Sequence, residues 1–194
     1  MRVTREQAEK NRERIVATAA RLFRDKGFDG IGVDAIMKKA GLTHGGFYGH
    51  FASKDALAAE AMARAVEDSL RWQDGLADID ELLSRYLSAQ HCEDRANGCA
   101  VAALGGEAVR QRPALRSALT DGVRVQIDRI ADLLKDGTSK ARHRRAMATY
   151  AGMVGALTLA RAVDDPDLAQ EILAAAREAF GDAVAASHRA SSSR

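Results

Sequence analysis

Residues 33–51 read VDAIMKKAGLTHGGFYGHF, and this stretch contains the pattern that decides the fold. Apolar spacing predicts a two-turn helix over its first eight residues, and Gly41 is placed to end that helix. Thr43 can cap a second short helix that continues through His50. Two short helices joined by a three-residue turn have the spacing of a helix-turn-helix, in which the second helix enters the major groove of DNA.

The second helix of this motif has an unusually bare face. At about 100° per residue, Phe47 and Phe51 point to one side of it. Gly45, Tyr48 and Gly49 point broadly to the other side. Each glycine costs a helix interior roughly 1 kcal/mol relative to alanine, so neighbouring elements must hold this helix in place. Close approach to a partner would offset that cost, and the wide groove of B-DNA is such a partner.

A metal site and a phosphate loop are the alternatives for the same residues. His44 and His50 are six residues apart, which does not place them on one helical turn, and no Asp, Glu or Cys lies among them. The sequence HGGFYG also lacks the Lys-Ser or Lys-Thr end of a phosphate loop. We therefore expect no metal and no nucleotide cofactor.

The composition of the whole chain is that of a helical globular protein. Of its 194 residues, 46% are hydrophobic and 29% are charged, and only two are prolines. No apolar run reaches the roughly 18 residues that cross a membrane, and the N-terminus lacks the apolar core of a signal peptide. We therefore expect an all-α, cytoplasmic protein that does not bind membranes.

Capping residues and helix breakers divide the chain into about nine helices. Ser53 and Asp78 are placed to cap two of them, and Pro113 and Pro166 fall in the first turns of two others. The predicted helices run from about 5 to 26, 33 to 40, 43 to 50, 53 onward, 78 to 92, 97 to 112, 113 to 136, 139 to 163 and 165 onward.

Basic residues are concentrated at the N-terminal end. Residues 1–64 contain twelve Lys and Arg against eight Asp and Glu, whereas the rest of the chain contains 17 against 19. This asymmetry indicates a polyanionic partner for the N-terminal part, although a solvated, charged helix face would give much the same count.

Residues 12–57, RERIVATAARLFRDKGFDGIGVDAIMKKAGLTHGGFYGHFASKDAL, closely resemble the DNA-binding domain of the tetracycline-repressor (TetR/AcrR) family of transcriptional regulators. The resemblance implies a three-helix DNA-binding domain at 1–54 and a helical ligand-sensing and dimerisation domain at 55–194. It also implies a homodimer, joined through the last two helices, that represses at a palindromic operator in double-stranded DNA. A small-molecule inducer or thiol modification would release that operator.

The same resemblance implies which residues meet DNA. Tyr48, His50 and Lys54 would bind phosphates, and Lys54 adds the favourable N-terminal end of the fourth helix. Phe47 and Phe51 would belong to the core. The predicted DNA-binding residues are Thr43, His44, Gly45, Gly46, Tyr48, His50 and Lys54.

The chain departs from the family pattern at Gly49, where a larger polar or aromatic side chain is common. Base reading by this helix is therefore expected to be sparse, with more of it left to His44 and Tyr48. A basic N-terminal arm containing Arg2 and Arg5 would contribute as well; the alternative for this arm is a solvated terminus.

Two cysteines, Cys92 and Cys99, are candidates for a thiol sensor. If Asn97 caps a helix, Cys99 sits in its first turn, where exposed amides favour a thiolate. The Gly-Cys start of this helix also resembles a branch of the family that includes sensors of electrophiles and oxidants. The alternative is that these thiols simply fill space in the core, as free cysteines often do. Together with His91 they would make a poor metal site.

The regulatory half offers only its larger side chains as candidates for an apolar ligand pocket, and each could equally be ordinary core. A DNA-binding dimer without a sensing pocket is one alternative function. A small all-α enzyme is disfavoured, because no Ser-His-Asp order, paired carboxylates or cofactor loop occurs at usable spacing. The candidate pocket residues are Trp72, Tyr86, Leu104, Met147, Tyr150 and Met153.

Overall fold

The computed structural model describes the backbone of residues 4–192 and the side chains of residues 4–181. Within this part of the chain every regular element is a helix, which confirms the predicted all-α fold. Arg2 of the predicted basic arm lies outside the described residues. The helices are α1 (Arg5–Lys26), α2 (Val33–Lys39), the 3₁₀-helix η1 (His44–Gly49), α3 (Lys54–Trp72), α4 (Ile79–Tyr86), α5 (Ala89–Glu93), α6 (Ala100–Ala108), α7 (Pro113–Leu133), α8 (Ser139–Ala162) and α9 (Pro166–Ser192).

Local capping chemistry sets several helix ends where it was predicted. Ser53 Oγ accepts a hydrogen bond from the amide three residues ahead at 3.1 Å, and Asp78 does the same at 3.0 Å. Gly41 ends α2 with φ +69°, a backbone conformation that side chains other than glycine rarely adopt. These ends depend only on neighbouring residues.

The single helix predicted from 78 to 92 was wrong, because the structure divides it into α4 and α5. Leu87 leaves the helical conformation, with φ −94° and ψ 45°. Ser88 then begins α5, where its side chain accepts a hydrogen bond from the amide of His91 at 3.1 Å. A serine can serve as a helix cap or as an interior residue, and here it acts as a cap.

The described chain forms two compact units, each built from two stretches. The first unit combines the residues up to Ser69 with Arg95–Gly122, and the second combines Leu70–Asp94 with the residues from Val123 onward. No helix in the described part of the chain is long and apolar enough to cross a membrane.

The first unit has one hydrophobic core centred on α1. Ile15, Ala19 and Phe23 on α1 are each at most 1% exposed. They belong to one cluster with buried side chains of α2, η1, α3 and α6. Burial of a large apolar side chain stabilises a fold by roughly 1.5–3 kcal/mol, so this cluster holds the short helices α2 and η1 against α1.

Two hydrogen bonds attach the C-terminal end of α1 to the second stretch of the first unit. The Arg24 guanidinium donates from Nε to the carbonyl of Ala96 at 2.7 Å. The amide of Phe28 donates to the Glu107 carboxylate on α6 at 2.9 Å. Bonds to charged groups are stronger than neutral ones, so these contacts fix α6 against the helix that supports α2 and η1.

The second unit contains the long antiparallel pair α8 and α9. At Gly152 on α8 an added Cβ would lie 1.9 Å from Cζ of Phe180 on α9. A side chain at this position would therefore displace the Phe180 ring, whereas the backbone conformation does not require glycine. Leu173 on α9 is 4% exposed and contributes to the same unit's core.

Candidate nucleic-acid interface

The second helix of the helix-turn-helix is held by two aromatic rings, as predicted. Phe47 and Phe51 are 1% and 3% exposed. Their rings stack with centroids 5.7 Å apart and an interplanar angle of 28°. The buried rings attach η1 to the first unit's core and leave its opposite face toward solvent.

The conformation of this helix differs from the prediction. Residues His44–Gly49 form a 3₁₀-helix instead of an α-helix, and the Thr43 side chain makes no capping hydrogen bond. Three glycines in six residues weaken α-helix formation, and short 3₁₀ segments are common where hydrogen bonding is incomplete. The segment still has one buried side and one bare side, as predicted. The reason is that burial of Phe47 and Phe51, and not helix propensity, fixes it against the core.

The outward face of η1 is nearly free of side chains other than those of His44 and Tyr48. Tyr48 is 69% exposed. A Cβ added at Gly45 or at Gly49 would meet no atom within 4 Å, and neither residue has a positive φ. Nothing within the described chain therefore requires glycine at these two positions.

The remaining predicted contact residues lie beside this face. Thr43 and Gly46 are exposed, and His50 is half-buried at the end of η1. Lys54 is half-buried at the first residue of α3, where the helix dipole adds to its positive charge. The structure thus gathers all seven predicted residues into one continuous segment from 43 to 54.

Arg12 supports this segment from α1, although no sequence pattern indicated that role. Its guanidinium lies 4.7 Å from the centroid of the Phe51 ring. The same group forms an ion pair with Glu60 on α3, with 2.6 Å between Nη2 and Oε1. A cation on a ring face adds roughly 0.5–2 kcal/mol to such a contact. No local sequence pattern reveals the ion pair of Arg12 with Glu60, because these two residues are 48 positions apart in the chain.

A second residue missed at the level of sequence is Asp34 on α2. Its carboxylate contacts Nδ1 of His44, the first residue of η1. The His44 ring also approaches Tyr48 edge to face, with centroids 6.1 Å apart. An acidic side chain therefore lies beside the first residue of η1.

The two cysteines occupy different environments in the two units, and both are free thiols. Cys99 is 6% exposed and is itself the N-cap of α6, where Sγ accepts from the amide of Ala102 at 3.5 Å. The predicted cap at Asn97 and the predicted helix to residue 112 were therefore wrong, because α6 spans only Ala100–Ala108. Cys92 lies on α5 and is half-buried.

The predicted pocket residues do not share one environment. Tyr86, Tyr150 and Met153 are buried in the second unit, whereas Leu104 is buried in the core of the first. Trp72 and Met147 are 41% and 42% exposed. In the described part of the chain, no group of three or more His, Cys, Asp or Glu side chains is placed to hold a metal ion.

An aromatic cluster around His91 brings two of these residues together. The His91 ring stacks on Trp72 with centroids 5.6 Å apart and meets Tyr86 edge to face at 4.6 Å. Its Nδ1 lies 2.7 Å from the carbonyl of Tyr86. Burial lowers the pKa of His91 against the opposing effect of that hydrogen bond, so the ring is neutral near pH 7.

Arg161 on α8 completes this cluster and was also missed at the level of sequence. Its guanidinium donates to the carbonyl of His91 at 2.7 Å and to the carbonyl of Cys92 at 3.0 Å. These bonds satisfy carbonyls at the end of the five-residue helix α5. Trp72 is 41% exposed, so this aromatic cluster reaches the surface of the second unit.

A separate cleft of about 680 Å³ lies between α1 and α3 in the first unit. Five glutamates and three basic side chains line it, and only Val16 and Ala63 are apolar. None of the predicted pocket residues lies there. Such a lining does not suit an apolar ligand, and its excess of carboxylates does not suit DNA.

One protein-family model matches the N-terminal part of the chain. The family model described as bacterial regulatory proteins, tetR family, matches residues 15–61. This match contains most of α1, all of α2 and η1, and the first turns of α3, and it covers the predicted DNA-binding residues.

Individual relatives extend the likeness to most of the chain. The HTH-type transcriptional repressor NemR of Escherichia coli (strain K12) is 30% identical over 135 residues, covering 65% of this chain and 68% of the relative. An uncharacterised HTH-type transcriptional regulator of Mycobacterium tuberculosis (strain ATCC 25618 / H37Rv) is 30% identical over 165 residues, covering 77% and 84%. Both likenesses continue well beyond the DNA-binding segment.

Solved structures share the fold over nearly the whole chain. The crystal structure of a TetR transcriptional regulator from Chloroflexus aurantiacus J-10-fl has a TM-score of 0.74 at 26% identity, covering 93% of this chain and 96% of that one. The crystal structure of reduced E. coli NemR has a TM-score of 0.72 at 23% identity, covering 89% and 96%. At 23% identity the second likeness supports the fold alone.

Proposed function

Since the chain belongs to the TetR family of bacterial regulatory proteins, we propose that it represses transcription as a homodimer bound to a palindromic operator. The single observation that carries the proposal is the pair of faces on η1. Phe47 anchors one face in the core, whereas Gly45 and Gly49 face open space without any internal need for glycine. A surface that can be approached so closely fits the edges of base pairs in the major groove.

The proposal keeps the predicted division of labour along the chain. Residues 1–54 would bind DNA, and residues 55–194 would sense a ligand and dimerise. Tyr48, His50 and Lys54 would contact phosphates, while His44 and the backbone of the glycines would approach the bases. Because a transcriptional regulator must reach the chromosome, the proposal also places the protein in the cytoplasm.

Selection from a random pool of duplex DNA tests the DNA-binding proposal directly. The purified chain is expected to enrich a palindrome whose two half-sites are separated by about one helical turn, roughly 34–36 Å. Affinity for the enriched duplex should fall steeply as salt is raised, because phosphate contacts release counterions. A pool that stays random after repeated rounds would contradict the proposal.

We further propose that α8 and α9 form the dimer interface. Three of the exposed large hydrophobic side chains in the described chain lie on these two helices: Met147, Leu159 and Leu168. Leu159 is 58% exposed, which is a large apolar surface to leave in water. A second copy of the same helix pair would cover these residues in a four-helix bundle.

Leu159→Glu is expected to shift the monomer–dimer equilibrium toward monomer by at least about tenfold, because a buried unpaired carboxylate is strongly unfavourable. Sedimentation across a range of protein concentrations measures the shift. Val109→Glu is the matched control, since Val109 is 65% exposed but lies at the end of α6. Equal dissociation of both variants, or of neither, would argue against this interface.

For release of the operator, we propose a small-molecule inducer bound in the second unit near Trp72, Tyr86 and His91. Stacked rings, one of which belongs to the 41% exposed Trp72, suit a planar, uncharged ligand. A second candidate is thiol modification, for which Cys99 is the favoured residue because its Sγ is bonded to an amide at the start of α6. One structural neighbour is E. coli NemR in its reduced form, which specifies an oxidation state for that protein.

Cys99→Ser is expected to preserve folding and DNA binding, because serine is itself a favoured N-cap residue. If Cys99 is the sensor, its sulfur adds to a ring carbon of a quinone, forming an S–C bond while the C=C electrons pass to a carbonyl oxygen, which takes up the proton lost by the thiol. This modification releases the wild-type chain from DNA. The serine variant would then resist that release by about tenfold or more in quinone concentration. Gel shifts with added quinone measure the response, and Cys92→Ser serves as the control. A Cys99→Ser variant that responds normally would exclude this site.

A further inference from the structure

The connection between η1 and α3 is attached to the core by one ring. Residues 50–53 join the two helices, and of these four only Phe51 is buried, at 3% exposed. The carbonyl of Phe47 accepts hydrogen bonds from the amides of His50 and Phe51, at 2.9 and 3.0 Å. Lys54 begins α3 directly after this connection. Phe51 therefore lies between two residues, His50 and Lys54, that are both candidates for phosphate contacts.

Arg12 on α1 holds this ring and α3 with a single guanidinium. Its Cζ lies 4.7 Å from the centroid of the Phe51 ring. Its Nη2 donates a hydrogen bond to Oε1 of Glu60 on α3 at 2.6 Å. A planar guanidinium can stack its face on a ring while its edge donates to a carboxylate. One side chain thus contacts both the connection that follows η1 and the helix that begins with Lys54.

The surroundings of Arg12 do not suit a direct contact between its guanidinium and a phosphate. Arg12 lines the cleft between α1 and α3, and five glutamates line the same cleft. One of them, Glu60, is its hydrogen-bonded partner. Carboxylates around a cation repel an approaching phosphate and neutralise the charge that would attract it. Arg12 therefore contributes less to DNA affinity through its charge than its place in the basic N-terminal part of the chain indicates.

Stability alone does not account for the pair of Arg12 and Glu60. Their side chains are 42% and 39% exposed. An ion pair that is partly in water contributes little to stability, because solvent screens it and ordering two long side chains costs entropy. A binding surface, in contrast, needs its contact groups held to within about 0.5 Å by the residues behind them. The contacts of Arg12 suit this second purpose better than the first.

We propose that Arg12 is a positioning residue for DNA binding. It fixes the connection between η1 and α3, and so holds Tyr48, His50 and Lys54 in the arrangement that their phosphate contacts need. Arg12 acts through these three residues and does not touch DNA itself. This inference rests on the proposed function, since it requires that η1 and the start of α3 meet the phosphates of the operator.

Glu60→Ala distinguishes positioning from simple electrostatics, because the two predict opposite changes in affinity. If charge alone matters, removal of a carboxylate raises affinity for DNA. If Glu60 holds Arg12 in place, its removal lowers that affinity. Glu60→Ala and Arg12→Met should each weaken binding of the selected operator by about fivefold or more, and the double variant should lose no more than either alone. Fluorescence anisotropy at fixed salt measures the affinities. A Glu60→Ala variant that binds as tightly as the wild-type chain, or more tightly, would overturn the proposal.

Combination with Lys54→Ala tests whether Arg12 acts through the phosphate contacts. In the Lys54→Ala background, Arg12→Met should lower the logarithm of the affinity by at most about half as much as in the wild-type background. A direct phosphate contact by Arg12 would cost the same in both backgrounds, and so would a general loss of folded protein. Equal losses in the two backgrounds would therefore contradict the positioning role.

Arg64→Met and Glu67→Ala are the matched controls, because both residues lie on α3 and line the same cleft. Arg64 is also an ion-paired arginine, bonded to Asp68 at 2.9 Å. Each control should bind the operator within about twofold of the wild-type chain, since exposed ion pairs have small effects. Controls that lose as much affinity as Arg12→Met would argue against a specific role for Arg12.

Urea unfolding followed by circular dichroism shows whether the variants remain folded. Arg12→Met and Glu60→Ala should both be folded under the conditions of the binding assay. If either is unfolded there, the pair supports the fold instead of the binding geometry, and the proposal is wrong.

The outcomes for the two proposals can be separated. If the wild-type chain enriches no DNA sequence, the proposed function fails. If it enriches a palindrome, and Arg12→Met and Glu60→Ala bind that palindrome with wild-type affinity, the proposed function stands and only the role of Arg12 fails.

Discussion

Replacing Tyr48 and Lys54 together with alanine is expected to lower operator affinity by about 10²- to 10⁴-fold while leaving the fold and the dimer intact. In the proposed function each side chain bonds a phosphate, and hydrogen bonds to charged groups contribute roughly 1.5–3 kcal/mol each. Tyr48 is 69% exposed on η1, and Lys54 begins α3, so neither supports the core. Fluorescence anisotropy with the selected operator at fixed salt measures the loss.

The salt dependence of binding identifies the kind of contact that was lost. Removing the Lys54 phosphate contact should reduce the slope of log affinity against log salt by about one. The matched control is Val109→Ala with Lys140→Ala, which removes an exposed apolar side chain and an exposed lysine elsewhere. If that control loses as much affinity as the Tyr48 and Lys54 variant, the assignment of η1 as the DNA-binding helix is wrong.

Phe47→Ala should destabilise the first unit by about 3–5 kcal/mol, the range for deleting a buried aromatic ring. Phe47 is 1% exposed, stacks on Phe51 and lies edge to face with Tyr48 at 5.3 Å. Because η1 is a short 3₁₀-helix with three glycines, it has little stability of its own without this ring. Urea unfolding followed by circular dichroism measures the change.

Tyr48→Ala is the control for this second prediction, since it truncates the adjacent aromatic residue on the opposite face. Its free energy of unfolding should fall by no more than about 1.5 kcal/mol, the range for losing one edge-to-face aromatic pair, while its operator affinity falls. Phe47→Ala should show the opposite pattern, in which the loss of stability is the primary defect and any loss of operator affinity follows from it. A Phe47→Ala variant of normal stability would mean that η1 is not anchored through the core.

Much of the fold and of the interface is predictable from residues close together in the chain. Both ends of α1 and the starts of α3 and α4 follow from caps and breakers a few positions apart, and the inward direction of Phe47 and Phe51 follows from their spacing. The same reasoning was wrong where a residue type has two roles. Ser88 caps α5 inside a stretch that was predicted to be one continuous helix. Cys99 caps α6, which was predicted to begin earlier, at Asn97.

The supporting residues of the interface could not be predicted in this way. Arg12 with Glu60 and Asp34 with His44 are pairs of ordinary exposed charges until packing brings them together. Nor does any local pattern show that Gly152 faces the ring of Phe180 while Gly45 and Gly49 face open space. All three are glycines in helices, and only the surrounding atoms distinguish them.

The stretch from 33 to 51 thus specifies a helix-turn-helix with one apolar side, because helix periodicity and capping are properties of neighbouring residues. Packing of distant segments decides which charge touches which ring, which glycine is crowded and which thiol is buried. Those contacts depend on where separate helices meet, and their energies are realised only when the core has closed around them.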